Sequence, residues 1–114
     1  IFGSIWITNI ILPKLLNYMC QSKISYLHRV VILSSMATCA KGLNANQINE
    51  HIIPNLIKYL KDKIPNVRSF ILKSLLSISS LTDNIGKDKI KAVVKDFKND
   101  EDIDVKFFVN KIIS

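Results

Sequence analysis

Four acids within five residues, Asp100, Glu101, Asp102 and Asp104, form the densest group of potentially reactive side chains in the sequence. Paired carboxylates can serve as general acid and base, or hold a divalent cation, but either task needs further groups. This stretch has no glycine for the sharp turn of a calcium loop, no second ligand group and no neighbouring nucleophile. It reads as a solvated acidic turn. His28 and His51 stand alone, without a Ser, Cys or carboxylate at a suggestive spacing. Cys20 and Cys39 lack a CxxC pattern or a histidine at ligand spacing, and their apolar surroundings fit free core thiols of a cytosolic protein. Gly3, Gly42 and Gly86 read as single breaks between helices, not as a phosphate loop. The expectation is a protein with no catalytic residue, no metal and no cofactor, and therefore not an enzyme.

Composition narrows the partners. The chain of 114 residues suits one domain, with 48% apolar and 22% charged residues and only three Gly and three Pro. Scarce turn formers favour long helices joined by short loops. The net charge of +7 raises the question of a polyanion, but the lysines are scattered without a run of four, and Arg29 and Arg68 are the only arginines. Most of this charge reads as solvated helix faces, so no nucleic acid is expected. No apolar stretch reaches the roughly 18 residues of a membrane span, and no membrane partner is expected. The opening IFGSIWITNIILP lacks a basic leader and a cleavage site, and the chain has no initiator Met. A piece of a longer protein, cytoplasmic or also nuclear, is the expectation.

The elements that position these side chains repeat. Arg29 in SYLHRVVIL, Arg68 in IPNVRSFIL and Lys106 in DIDVKFFVN each follow a hydrophobic turn and enter an apolar helix, 39 and 38 residues apart. Upstream lie Pro13, Pro54 and Ala92, followed two residues on by Leu15, Leu56 and Val94, and five on by Tyr18, Tyr59 and Phe97. Asp62 and Asp100 stand eight residues beyond Pro54 and Ala92. Three and seven residues past each basic position come Ile32 and Met36, Ile71 and Leu75, Val109 and Ile113, a spacing that shares one helical face.

Each unit therefore reads as two helices. The first covers roughly 4–21, 44–61 and 84–98, and the second roughly 26–41, 65–80 and 103–113. Ser25 and Asp102 are good N-caps for the second helix, and Pro65 at its first position replaces the cap that Ile64 cannot supply. A single pair cannot bury its apolar face, so neighbours must stack. The expected fold is all-α, a HEAT-repeat solenoid of three antiparallel pairs forming one array, with repeats at about 4–41, 44–81 and 84–114. Neither end unit shows an obvious polar capping face.

Two sets of residues follow from this register. Asp62, Arg68, Asp100 and Lys106 are expected to form an inter-repeat ladder, a structural role preferred to binding. The intra-repeat turns place Tyr26, Leu27, Ile64, Pro65 and Ile103 on one edge as an apolar ridge. Such a ridge is covered by a partner or packs against the adjacent turn.

At these turns the sequence resembles the scaffold (A) subunit family of protein phosphatase 2A, near its carboxyl end. The strings are FG at 2–3 with Trp6, IILPKLL at 10–16, YLHR at 26–29, IIPNLI at 52–57, NVRS and KSL within 66–75, and DIDVKFF at 102–108. The likeness covers essentially the whole chain. It implies a non-catalytic scaffold whose last intra-repeat turns grip the phosphatase catalytic subunit, while regulatory subunits bind repeats absent here. Carried over position by position, the grip uses Tyr26, Leu27, His28 and Arg29, then Ile64, Pro65 and Asn66, then Ile103 and Asp104, with Arg29, Arg68 and Lys106 expected rather to hold the ladder. Departures are a first turn two residues longer, Ser25 for Asn, Ala92 for Pro, Ile64-Pro65 for Val-Ala, and a basic charge where the family is acidic. A HEAT adaptor for another protein, such as a transport receptor, is the alternative. A basic helical repeat tracking nucleic acid stands behind both.

Overall fold

In the computed structural model the described residues are 5–19 and 25–114, with Tyr26 described for its backbone only. Six helices follow in order: α1 (5–19), α2 (Tyr26–Cys39), α3 (45–58), α4 (Pro65–Ser79), α5 (Asn84–Val94) and α6 (Ile103–Ile113). Short 3-10 turns, Ala40–Gly42 and Lys95–Phe97, extend α2 and α5. No strand occurs among the described residues. The fold is all-α, as expected.

The starts of the second helices obey the expected chemistry. Ser25 Oγ accepts from the His28 N–H at 3.3 Å, and Asp102 accepts from the N–H groups of Asp104 and Val105. Ile64 offers no side-chain cap, and Pro65 opens α4 instead. The first helices use caps of their own: Asn44 forms a capping box with Gln47, and Asp83 accepts from Gly86.

Helices α2, α4 and α6 lie side by side in one layer, and α3 and α5 adjoin in the other. The molecule measures 42 × 36 × 15 Å between Cα extremes. The smallest dimension equals about two helix radii of ~2.3 Å plus one interaxial distance of ~10 Å, the thickness of a helix bilayer. Stacking pairs in two layers buries one continuous core: Leu33 and Met36, Ile52, Ile53 and Leu56, Ile71, Leu72 and Leu75, Ile90 and Val94, Val105 and Val109. The periodic positions lie in or against it. Met36, Ile71, Leu75 and Val109 are buried, and Ile32 and Ile113 pack on the same core. Tyr18 differs from its counterparts Tyr59 and Phe97 in being exposed.

Two features depart from the sequence reading. Residues Ile7–Ile11 and Ile48–Ile52 are π-wound, with Leu12 N–H bonded to Ile7 O and Ile53 N–H to Ile48 O. Each wide turn ends two residues before a proline, Pro13 or Pro54. A proline has no N–H to give and its ring collides with the carbonyl four residues back, so widening the turn relieves both problems. With Ala92 at that position, α5 stays α-helical through Val94. Gly86, expected as a break, sits buried within α5, where a Cβ would meet the side chains of Asn49 and Thr82. It is a point of close inter-repeat approach.

The third repeat also has a polar outer face, contrary to the expectation. Thr8, Leu12, Leu16 and Met19 of α1 correspond in register to Asn49, Ile53, Ile57 and Leu60 of the second repeat. The third repeat has Lys87, Lys91, Lys95 and Lys98 there, all exposed. In the other layer Leu33 and Leu72 are buried, whereas the equivalent Asn110 is exposed. Lysines scattered in sequence converge here because 3.6 residues complete a turn.

Candidate functional site

The start of α2 and the intra-repeat turns between α3 and α4 and between α5 and α6 share one edge of the slab. Beneath the second and third turns runs a pair of ionic rungs. Arg29 meets Asp62 in a bidentate pair, Nε to Oδ2 at 2.8 Å and Nη2 to Oδ1 at 3.2 Å. Arg68 Nη2 reaches Asp100 Oδ1 at 3.0 Å. The rungs thus run from the arginine of one repeat to the aspartate of the next. Arg29, which the resemblance places in the partner grip and the register in the ladder, is a rung residue here. Lys106 is exposed and lies within no ion pair among the described residues, though its charge acts on Asp100.

Each aspartate also shapes its own turn. Asp62 Oδ1 accepts from the Ile64 N–H at 2.9 Å, and Asp100 Oδ1 from the Asp102 N–H at 3.0 Å. Arg68 Nη1 donates to the carbonyls of Asp62 and Lys63, so one guanidinium pins its own turn and the following one. A cleft of about 430 Å³ lies between these turns, floored by Asp62, Arg68 and Asp100 and flanked by Lys61, Lys63 and Glu101.

Above the rungs stand the residues the sequence assigned to a partner. Leu27 is 61% exposed and Ile103 81%. Asn66, Asp104 and His28 are exposed, and His28 Nδ1 lies 3.1 Å from Ser25 Oγ, engaged in the cap. Ile64 and Pro65 are half-buried, and Ile64 packs on the core, so it is partly structural. The Tyr26 side chain and residues 20–24, including Cys20 and most of the longer first turn, lie outside the described residues. Cys39 is partly buried and its thiol pKa is raised by that burial.

A second polar tie, absent from the sequence reading, joins the opposite edge. Asn49, nearly buried, donates to Asp83 Oδ1 at 2.8 Å and accepts from the Thr82 hydroxyl. Asn49 stands between Ile48 and Ile52 in α3, but Asn46 and Asn55 lie in the same helix, so its sequence did not single it out. No group of three or more His, Cys, Asp or Glu among the described residues is placed to hold a metal. No described helix is long and apolar enough to cross a membrane.

Acid should loosen both edges. Burial alone would raise the Asp100 pKa, but the Asp102 N–H, the Arg68 guanidinium and the Lys106 charge outweigh it and lower it. The Asn49 amide and the Gly86 N–H lower that of Asp83. A folded pKa below the unfolded value stabilises the protein above that value, and the gain is lost as pH falls through the folded one. Thermal unfolding followed by circular dichroism should give a nearly constant Tm down to about pH 5 and a steep fall below about pH 4. Asp100→Asn should flatten part of that acid limb, and an unchanged limb would remove Asp100 from the account.

Comparison with known proteins bears on what these turns serve. No protein-family model matches the chain. Its whole length aligns with the A-type regulatory subunit of protein phosphatase PP2A from Saccharomyces cerevisiae, 28% identical over 121 aligned positions. The chain resembles that regulatory subunit from end to end. A 67-residue stretch, 59% of the chain, is 34% identical to the protein of the same name from Schizosaccharomyces pombe. The chain spans 19% of the first relative's length, and the matched stretch spans 11% of the second's. Both relatives are named regulatory subunits, and the stacked helix pairs agree with a HEAT-type scaffold architecture.

Proposed function

We propose that this chain is part of a non-catalytic scaffold of protein phosphatase 2A, working in the cytoplasm or nucleus, and that its intra-repeat turns grip the phosphatase catalytic subunit. The observation that carries the reading is the pairing of an exposed apolar ridge with a rigid ionic floor. Leu27 and Ile103 project from the first turns of α2 and α6, on the edge that the Arg29–Asp62 and Arg68–Asp100 rungs tie together. Apolar groups so exposed at turn tips gain from a partner's cover, and a preset spacing lowers the ordering cost of binding. Whole-length similarity to a phosphatase regulatory subunit supports the choice of a phosphatase partner. Regulatory subunits would engage repeats outside this chain.

In this account Leu27 and Ile103, with Tyr26, supply apolar contact. Asn66, Asp104 and His28, through Nε2, supply polar contact around it. Leu27→Asp combined with Ile103→Asp should weaken capture of the purified catalytic subunit by roughly 100-fold, two central contacts of about 1.4 kcal/mol each. Circular dichroism should show unchanged helix content, because both side chains face solvent. Equal capture of wild type and variant, or capture of neither, would sink the proposal.

A further inference from the structure

The lysine face of the third repeat is not needed by the phosphatase reading and has a chemistry of its own. Lys87, Lys91, Lys95 and Lys98 follow at intervals of four, four and three residues, so the first three stand on one side of α5 and its 3-10 extension, with Lys98 at the C-cap that follows. All four are exposed. They occupy the register positions where the second repeat has Asn49, Ile53, Ile57 and Leu60. A helix pair stacked on this face as the third repeat stacks on the second would bury four ammonium groups, which is prohibitive without paired carboxylates. The face is built for solvent or for an anionic partner.

Little within the chain neutralises it. Asp88 and Asp96, the acids of the same segment, form no ion pair with these lysines, and the described ion pairs are Arg29–Asp62, Glu50–His51 and Arg68–Asp100. Asp100 is committed to its rung, while Asp83 and Asp102 cap helices. Lys87, Lys91 and Lys95 repel one another at the four-residue spacing, a cost that an external counter-charge would relieve. With a net charge of +7, a second copy of the chain is a poor source of it.

We propose that this face docks an extended acidic segment of a partner protein. The lysines rise by about 6 Å per step along the helix and cover roughly 16 Å. Alternate side chains of an extended peptide recur every ~6.6 Å, so carboxylates at every second residue meet successive lysines. The stripe carries no aromatic ring for base stacking and no guanidinium for bidentate phosphate contact, which favours an acidic peptide over nucleic acid.

The test uses the whole chain and a fluorescent deca-glutamate peptide, with a thymidine decamer as the competing polyanion. Anisotropy at low salt should show peptide binding that weakens at least tenfold between about 50 and 300 mM salt. Lys91→Glu with Lys95→Glu should weaken it by roughly tenfold or more, whereas Lys14→Glu with Lys89→Glu, the same change in net charge, should alter it less than about threefold. Equal loss in both pairs would show that only overall charge attracts the peptide, and would overturn the proposal. Absence of binding at low salt, or tighter binding of the oligonucleotide through the same lysines, would equally overturn it. Catalytic-subunit capture is a separate measurement, so neither proposal can conceal the failure of the other.

Discussion

Replacing Arg68 with leucine should lower the free energy of unfolding by about 2–4 kcal/mol, the range for breaking one side of a mostly buried ion pair. The side chains of Arg68 and Asp100 are only 15% and 12% exposed. Removing the guanidinium strips Asp100 of its charged donor and leaves the carbonyls of Asp62 and Lys63 without theirs. The loss is kept from being larger because Asp100 retains the Asp102 N–H, and because Arg68 Nε is itself buried without an acceptor. Arg68→Lys should not rescue it, since a single ammonium cannot satisfy two carbonyls and a carboxylate in the same fork. Lys106→Leu, at the equivalent position but exposed, should cost less than about 0.5 kcal/mol. Urea denaturation of these variants, with Asp100→Asn in a double-mutant cycle, checks the argument. A coupling energy of about 1–3 kcal/mol is expected. A value near zero would mean that the rung is ornamental.

Leu72→Ala should cost about 2–5 kcal/mol, the range for a leucine emptied from a packed core. Leu72 is fully buried in α4, which lies between α2 and α6 in one layer and contacts α3 and α5 in the other. Neighbouring pairs cannot collapse into the void without breaking the rungs on one edge or the Asn49 tie on the other. Most of the cavity should therefore remain, and the loss should fall in the upper half of that range. Asn110→Ala removes the residue in the same register of the third repeat and should change stability by less than about 0.5 kcal/mol. Urea midpoints with an unchanged m-value would report the difference as stability alone. Similar costs at the two positions would contradict the assignment of the third repeat's outer face as polar.

Much of the architecture was legible because helical periodicity and capping are local. The basic positions at 29, 68 and 106, with apolar residues three and seven places on, predict the second helices and their buried faces. Ser25, Pro65 and Asp102 mark their starts to the residue. Of the ladder residues, Asp62, Arg68 and Asp100 were also visible, since Asp62 and Arg68 are separated by the same six-residue interval as Asp100 and Lys106, although Lys106 pairs with no acid among the described residues. Their pairing was not. Within one repeat Asp62 and Arg68 are the near neighbours in sequence, yet the carboxylate of Asp62 turns to Arg29. Of the polar groups of Asp62, Arg68 takes only the backbone carbonyl.

Local pattern was thus enough to specify three helix pairs, the residues at which the helices begin, and the apolar stripe of each. These follow from propensities and spacings that act over a few residues. Stacking in three dimensions settled which charges meet and that Gly86 admits Asn49 and Thr82. It also decided that the lysine side of α5 lies on the outer face of the third repeat, where all four lysines are exposed. Each of these depends on the direction in which one repeat stacks on the next. That direction is set by packing between residues more than thirty positions apart, and no local pattern encodes it.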